Sequence, residues 1–353
     1  MSDKATRFGG HERLTLQNFT AFKDCTLEFV PGINVFIGEN GTGKTHAMKI
    51  LYALGMVTLR SDSSILAILR DLFQLIGSAP FGTDTNVRDL RRAGADESTT
   101  LTVDAIYRGE SLKFTVTGDD YPTMARPDSK PQTERPVFIP AIDMLGHSKG
   151  FVEAFREVRL DFDSTYADML SLLALERKDK SRLNGAVDGL SKVLGGEVER
   201  ESDGRYYLRT GAARFAMPMV AEGLRKIATL VQLYKNGWLV PGTVLFWDEP
   251  EVNLNPVLMD ELVAALLEIA RSGVQIFLAT HSYVILKELD LQSTSADRVR
   301  YFAFESTPDG TVVSPADDFS QLQPNPILAQ YESLYDRELT RSTGRNHLGE
   351  RIR

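Results

Sequence analysis

Cysteine is almost absent: Cys25 is the only one in 353 residues. A lone thiol closes no internal disulfide and builds no zinc cage, which points to a reducing compartment and away from a structural metal. Long apolar runs are missing too. No stretch approaches 18 consecutive apolar residues, so no membrane-spanning helix is expected. The opening MSDKATRFGGHERL lacks the apolar h-region of a secretory signal. There is no basic excess: 40 Lys and Arg stand against 48 Asp and Glu, a net charge of −8. That disfavours a protein that coats nucleic acid along its whole surface, while leaving room for a local basic patch. Internal repeats and heptad arrays are also lacking. The rest, 42% hydrophobic and 25% charged, is the composition of a cytoplasmic globular protein. The length suits one large domain or two medium ones.

What is present begins with strands. Arg13 to Phe19 (RLTLQNF) and Cys25 to Val30 (CTLEFV) alternate apolar and polar residues, and Ile33 to Ile37 (INVFI) has the continuous apolar character of a buried strand. A glycine-rich loop and a helix follow, with apolar residues at Ala47, Ile50, Leu51, Leu54 and Val57. Residues 61–76 keep the helical period. From Thr99 the period changes to two: TTLTVDAIY and SLKFTVTG flank Arg108-Gly109-Glu110 as a hairpin. Residues 118–135, polar and rich in proline, suggest an exposed loop, and 137–141 (VFIPA) a short strand. A mostly helical stretch is expected over 148–236, broken by a hairpin near 196–210. Strand, helix and strand then alternate over 243–248, 256–272 and 274–279, as in a parallel α/β sheet. The tail, 331–353, has few apolar residues after Leu339 and is expected to fray.

Residues 38–45 read GENGTGKT and match the phosphate-loop pattern G-x-x-x-x-G-K-[ST] at every fixed position, after a strand and before a helix. Gly41 and Gly43 let the backbone turn its amides toward phosphate. Lys44 supplies a charge for the β- and γ-phosphates, and Thr45 offers a hydroxyl to Mg²⁺. The helix starting near Gly43 aims its positive end at the anion. The nucleotide-contacting set is Gly38, Asn40, Gly41, Thr42, Gly43, Lys44, Thr45 and His46. A second apolar strand, TVLFWDE, ends in an acidic pair. Asp248 is expected to hold Mg²⁺ directly or through water, and Glu249 to act as general base on the attacking water. Lys44 and Asp248 lie 204 residues apart, so something substantial is inserted between them: the hairpin at 99–117 and the helical stretch at 148–236.

His281 follows a buried strand in FLATHSY, 33 residues beyond Asp248. Val220-Ala221-Glu222-Gly223-Leu224-Arg225-Lys226 opens an apolar helix, and Pro250-Glu251-Val252-Asn253-Leu254-Asn255-Pro256 follows the acidic pair. This order resembles an ABC-type ATPase: P-loop, signature helix, Walker B strand, D-loop, H-loop. RLTLQNFTAFKDCTLEF is similar to the start of SMC/RecF-like ATPases. VFIPAIDML and FGTDTNVRDLRRAGADES resemble the smaller ABC-like AAA-family ATPases related to the ATPase part of OLD-family proteins. The resemblance runs from about Arg13 to Leu291. It implies an α/β ABC-type P-loop NTPase with an inserted antiparallel β subdomain and a helical lobe. The parts are an N-terminal ATPase part (1–147), a helical lobe (148–236), a C-terminal ATPase part (237–315) and a terminal helix or tail (316–353).

The resemblance also implies a composite site in a homodimer or higher oligomer. Glu222 and Gly223 would face the γ-phosphate of the partner's ATP, His281 that of its own subunit, and segment 251–256 would cross the interface. The sequence departs from the pattern at Ala221, where a serine is usual; Arg225 and Lys226 are candidates to compensate by charge. Asp143 and His147 are candidates for the glutamine loop. No acidic cluster with glycines after His281 suggests a TOPRIM nuclease. The functional expectation is an ATP- and Mg²⁺-dependent ATPase that controls a separate effector in anti-phage defence or nucleic-acid surveillance. The alternatives are a transporter's nucleotide-binding subunit or a scaffold that binds ATP with little turnover. Residues 205–240 carry six basic residues against the single acid Glu222. This stretch is open to two readings, contact with nucleic acid or an acidic partner, and a solvated face beside a nucleotide.

Overall fold

The computed structural model describes residues 9–59, 64–75, 87–96, 98–117, 123–125, 133–158, 160–177 and 185–343. The extreme N-terminus, residues 61–63, 76 and 81–86, most of the proline-rich stretch at 118–135, and the tail beyond 343 lie outside them. The chain opens with β1 (His11–Phe19), β2 (Phe22–Glu28) and β3 (Ile33–Gly38), then α1 (Lys44–Val57) and α2 (Ile65–Phe73). β4 (Leu101–Tyr107) and β5 (Glu110–Val116) follow, joined by Arg108 and Gly109 at φ 53° and 76°. Two positive φ values give the two-residue turn whose twist matches paired strands. β6 (Thr123–Ala125) and β7 (Val137–Ile139) lead to helices α3 (Phe151–Val158), α4 (Ser164–Leu173) and α5 (Asp188–Leu194). Strands β8 (Glu197–Arg200), β9 (Tyr206–Thr210) and β10 (Ala213–Ala216) precede α6 (Glu222–Lys235). The remainder is β11 (Val244–Asp248), α7 (Met259–Arg271), β12 (Gln275–Ala279), α8 (Tyr283–Gln292), β13 (Val299–Thr307), β14 (Gly310–Ala316) and α9 (Pro326–Thr343).

These strands make three sheets. β2-β1-β4-β5-β6 is antiparallel, so the hairpin β4–β5 extends the sheet begun by β1 and β2. Within the stretch expected as exposed loop, Thr123–Ala125 pairs with β5, because that edge still offers free backbone groups. The expected hairpin near 196–210 is a three-stranded meander: Gly211, at φ 58°, reverses the chain once more and β10 pairs with β9. The third sheet, β14-β13-β3-β12-β11-β7, is parallel through β13, β3, β12, β11 and β7. Its central strands are apolar throughout because both faces are covered. Val35, Leu245, Trp247 and Leu278 face a core built with α4 to α7. Phe36, Phe246 and Phe277 face α1 and the antiparallel sheet. Phe246 stacks between Phe277 (5.0 Å, 17°) and Phe138 (5.9 Å, 17°).

His11 lies in that second interface, fully buried against Tyr107, Phe246 and Phe277. Burial, helped by the Arg108 charge, pushes its pKa down to about 3. The folded state therefore holds His11 neutral and binds fewer protons than the unfolded chain below pH 6.5. The stability this contributes is complete above pH 6.5 and is lost as pH falls toward 3, costing about 2 kcal/mol by pH 5. Replacing His11 with leucine should flatten the acid side of the melting profile, narrowing the Tm drop between pH 7 and pH 5 by several degrees. An unchanged drop would show that His11 is not the group responsible.

Candidate functional site

Three neighbouring parallel strands end together. Asp248 is level with Ala279 on β12, and Ala279 with Phe36 on β3. The phosphate loop after β3, the acidic pair at the end of β11 and His281 beyond β12 are thereby delivered to one edge of the sheet. This is the crevice at the carboxyl ends of strands where open α/β sheets bind ligands.

The loop itself is built by its glycines and by Lys44. Gly43, the residue before α1, sits at φ 91°, and a Cβ there would stand 2.8 Å from the Phe22 ring. Thr42 Oγ1 donates to the Glu39 carbonyl at 2.8 Å, while Asn40 and Gly41 are exposed at the loop tip. Lys44 Nζ curls back to donate to the carbonyls of Gly38 (2.9 Å) and Glu39 (2.8 Å). Burial lowers the Lys44 pKa, opposed by Asp248, Glu249 and Glu251. His46 is exposed and packs edge-on to Phe73 at 5.5 Å, on the outer side of α1.

Thr45 Oγ1 donates to Asp248 Oδ2 at 2.9 Å across 203 residues of sequence. Desolvation raises the Asp248 pKa to about 6, with Glu249 adding to the rise and the Thr45 hydrogen bond opposing it. Glu249 has φ 47°, in the left-handed region that a side chain seldom occupies. Such strain costs on the order of 1–3 kcal/mol and persists only when surrounding contacts fix it. Three do: Glu249 N–H donates to the Ala279 carbonyl and Lys226 Nζ donates to the Glu249 carbonyl, both at 2.9 Å, and Val252 N–H donates to that same carbonyl at 3.3 Å. His281 Nε2 lies 3.8 Å from Glu249 Oε1, too far for a hydrogen bond. Burial, with the Lys44 charge, lowers the His281 pKa, so the ring is neutral at pH 7.

The signature-like residues belong to α6. Ala221 stands at its N-cap with no side-chain cap, leaving the first amides of the helix without one. A Cβ at Gly223 would stand 2.5 Å from the Asn253 carbonyl oxygen, so glycine lets the helix start press on segment 251–256. Glu222 is half-buried beside it. Arg225 and Lys226 turn inward rather than toward a partner's nucleotide. Arg225 Nε bonds the buried Asp143 carboxylate at 2.5 Å, and Lys226, 2% exposed, is bonded to Glu249. Charge compensation for the missing serine is therefore not what this arrangement offers. The same ion pair engages the Asp143 carboxylate, which also accepts from Leu145 N–H. His147 is exposed in a short 3-10 turn.

Two contacts that carry the helical lobe onto α1 have no sequence motif. Lys49 Nζ pairs with Asp163 at 2.8 Å, and Asp163 also caps α4 through Thr165 N–H. One turn on, Tyr52 Oη and Arg135 both bond Asp168 (2.9 and 2.6 Å). Lys49 and Tyr52 share a face with Thr45, so polar residues at i, i+4 and i+7 of an apolar helix are the available signal.

The basic stretch at 205–240 is neutralised from outside its own window. Arg209 pairs with Glu197 and Glu199, Arg214 with Glu199 and Glu201, and Arg205 with Asp203. Tyr206 is buried, and Arg214 lies over the Tyr207 ring at 3.8 Å, which leaves no open aromatic pair for base stacking.

A family model described as "AAA domain, putative AbiEii toxin, Type IV TA system" matches residues 140–287, and one described as "AAA ATPase domain" matches residues 12–78. The chain is 36% identical over 69 residues to the DNA replication and repair protein RecF of Streptococcus uberis, covering 19% of each chain. It is 28% identical over 107 residues to RecF of Halalkalibacterium halodurans, covering 30% of this chain and 26% of the relative. The chain thus matches only about a fifth to a quarter of the length of these relatives. Among solved structures, an SMC head bound to the C-terminal winged-helix domain of ScpA aligns with a TM-score of 0.54 at 13% identity, covering 87% of this chain and 97% of that one. The Pyrococcus furiosus SMC head domain with an extended coiled coil, bound to the C-terminal domain of ScpA, aligns at 0.53 and 12%, covering 93% and 99%. At such identities the likeness is one of fold.

Proposed function

We propose that this ABC/SMC/RecF-like P-loop ATPase binds ATP with Mg²⁺ at the Lys44–Asp248 site, hydrolyses it between two copies of the chain, and uses the cycle to control a separate effector protein. The observation that carries the reading is the Thr45–Asp248 hydrogen bond, which joins the phosphate loop to the acidic strand end. A hydroxyl beside a desolvated carboxylate suits a hard cation that takes its other ligands from water and phosphate. Mg²⁺, when bound, would neutralise charge on the phosphates. Lys44 would exchange the Gly38 and Glu39 carbonyls for phosphate oxygens. Glu249 would take the proton of the attacking water, and neutral His281 would donate to the γ-phosphate. The uncapped start of α6, around Glu222 and Gly223, would cap the γ-phosphate bound by the second copy. Met219, Ile142 and Val257, just before α6, beyond β7 and just after segment 251–256, are exposed at 76%, 55% and 77%, apolar side chains that a second copy docked there would cover.

Among the described residues no helix is long and apolar enough to cross a membrane. A role in anti-phage defence or nucleic-acid surveillance draws support from the toxin–antitoxin description of the matching family and from the RecF likeness. Phosphate release that requires Mg²⁺ and stops with a chelator would support the ATPase reading; release unaffected by the chelator would remove it. Protons compete with the cation at Asp248. The Mg²⁺ concentration for half-maximal turnover should therefore be flat above pH 6 and rise about tenfold per unit below it. A value unchanged between pH 7 and pH 5 would contradict that assignment.

A further inference from the structure

Glu251 opens the segment expected to cross to a second copy, yet its side chain turns back into its own subunit. Oε1 accepts a 2.6 Å hydrogen bond from the backbone N–H of His281. The Glu251 carbonyl accepts from Leu254 N–H at 2.9 Å, so one residue ties the turn of segment 251–256 to the turn beyond β12. The neighbouring amides of that second turn are held differently. Thr280 N–H donates to the Phe36 carbonyl on β3, and Ser282 N–H to Thr280 Oγ1. The bond that fixes His281 to segment 251–256 is therefore the Glu251 carboxylate. The imidazole it orients stands 3.8 Å from Glu249, while Gly223 of α6 presses on Asn253 and Leu254, two and three residues further along the same segment.

We propose that Glu251 is a positioning residue: its Oε1 sets the backbone of His281 in step with segment 251–256, so that docking of that segment on a second copy is felt at the histidine. The inference rests on the ATPase reading above for its consequence, and its geometry can be tested without turnover. The partner it serves is a second copy of this chain. For the bond a neutral acceptor of the same shape is sufficient, since it needs an oxygen lone pair and not a charge, and without the Glu251 charge Lys226 keeps Glu222, Glu249 and Asp143 as counter-charges.

The test uses the full chain with Glu251→Ala and Glu251→Gln. Hydrogen exchange of the peptide covering residues 280–285 is measured by mass spectrometry. Exchange at His281 should speed up at least about tenfold in E251A and stay near wild type in E251Q, with β12 and α7 unchanged. Turnover should fall at least about tenfold in E251A, with KM for ATP within about threefold, and E251Q should retain most activity. Unchanged exchange in E251A overturns the proposal. So does an E251Q as impaired as E251A, which would assign the role to charge, or an acceleration spread through β12, which would make the residue merely structural. If wild type itself releases no phosphate, the ATPase reading fails while the exchange result still decides the contact.

Discussion

Glu249→Gln should lower phosphate release by roughly two to three orders of magnitude while leaving ATP affinity within a few fold. A positioned general base contributes about 10²–10⁴ in rate, or roughly 3–5 kcal/mol in the barrier at 1.36 kcal/mol per decade. Glutamine keeps the shape and the hydrogen-bonding oxygen but cannot take a proton from water. The substitution also leaves its surroundings alone. The contacts at residue 249 from Lys226 and Ala279 are made through the backbone, and the side chain is about a third exposed. Strain at φ 47° is the same for both side chains. The variant should therefore stop after binding, and ATP-loaded dimer should accumulate in sedimentation velocity. Equal, background-level release from wild type and variant would remove the enzyme reading and favour an ATP-binding scaffold. A variant as fast as an active wild type would assign the base elsewhere.

The phosphate loop and the acidic pair were legible because their chemistry fixes residue types at fixed spacing. Gly43 must be glycine where φ is 91° and the Phe22 ring stands close. β3, β11 and β12 were legible because strands covered on both faces lose their alternation and become short apolar runs between turns. Long-range pairing was not legible. β13 lies parallel against β3, with Val299 opposite Ile33, and nothing in either segment announces that pairing, whereas the local hairpin β13–β14 is marked by Pro308-Asp309-Gly310 between its strands. The apparent charge excess of 205–240 arose from where the window began. Glu197, Glu199 and Glu201 lie just before it in sequence and directly across the strands in space. Arg225 and Asp143, 82 residues apart, could not be paired from sequence, so a structural ion pair looked like a free cation near a nucleotide. Gly223 carried both meanings at once: it starts the signature-like helix, and it is also the residue whose missing Cβ lets that helix meet segment 251–256.

The burial of Lys226 is legible in the helical period of α6. The lysine sits at i+3 from Gly223, with Leu230 four and Leu233 seven residues beyond it, so it falls on the buried stripe of α6. A lysine there is rarely tolerated without a partner. Its partner is the Glu249 carbonyl, and its charge is balanced by Glu251 first, then Glu222, Glu249 and Asp143. Burial lowers its pKa, and those carboxylates push the other way. Lys226→Met keeps the length and apolar stem but removes the donor. The Glu249 carbonyl would then keep only the longer 3.3 Å bond from Val252 N–H, and losing a bond from a charged donor costs about 1.5–3 kcal/mol. The left-handed backbone that aims the Glu249 carboxylate would lose one of its three restraints. A displacement of about 1 Å at a catalytic base costs on the order of 10²-fold in rate, so turnover should fall by about one to two orders of magnitude with KM for ATP little changed. A purely structural lysine predicts something different: a lower Tm with kcat per folded molecule intact. Lys226→Arg restores a donor with longer reach and should recover part of kcat, whereas a loss of charge alone would be restored in full. If Lys226→Met turns over ATP at the wild-type rate, the coupling of α6 to the general base through this bond is wrong, and the bonds to Ala279 and Val252 suffice to hold the left-handed geometry at residue 249.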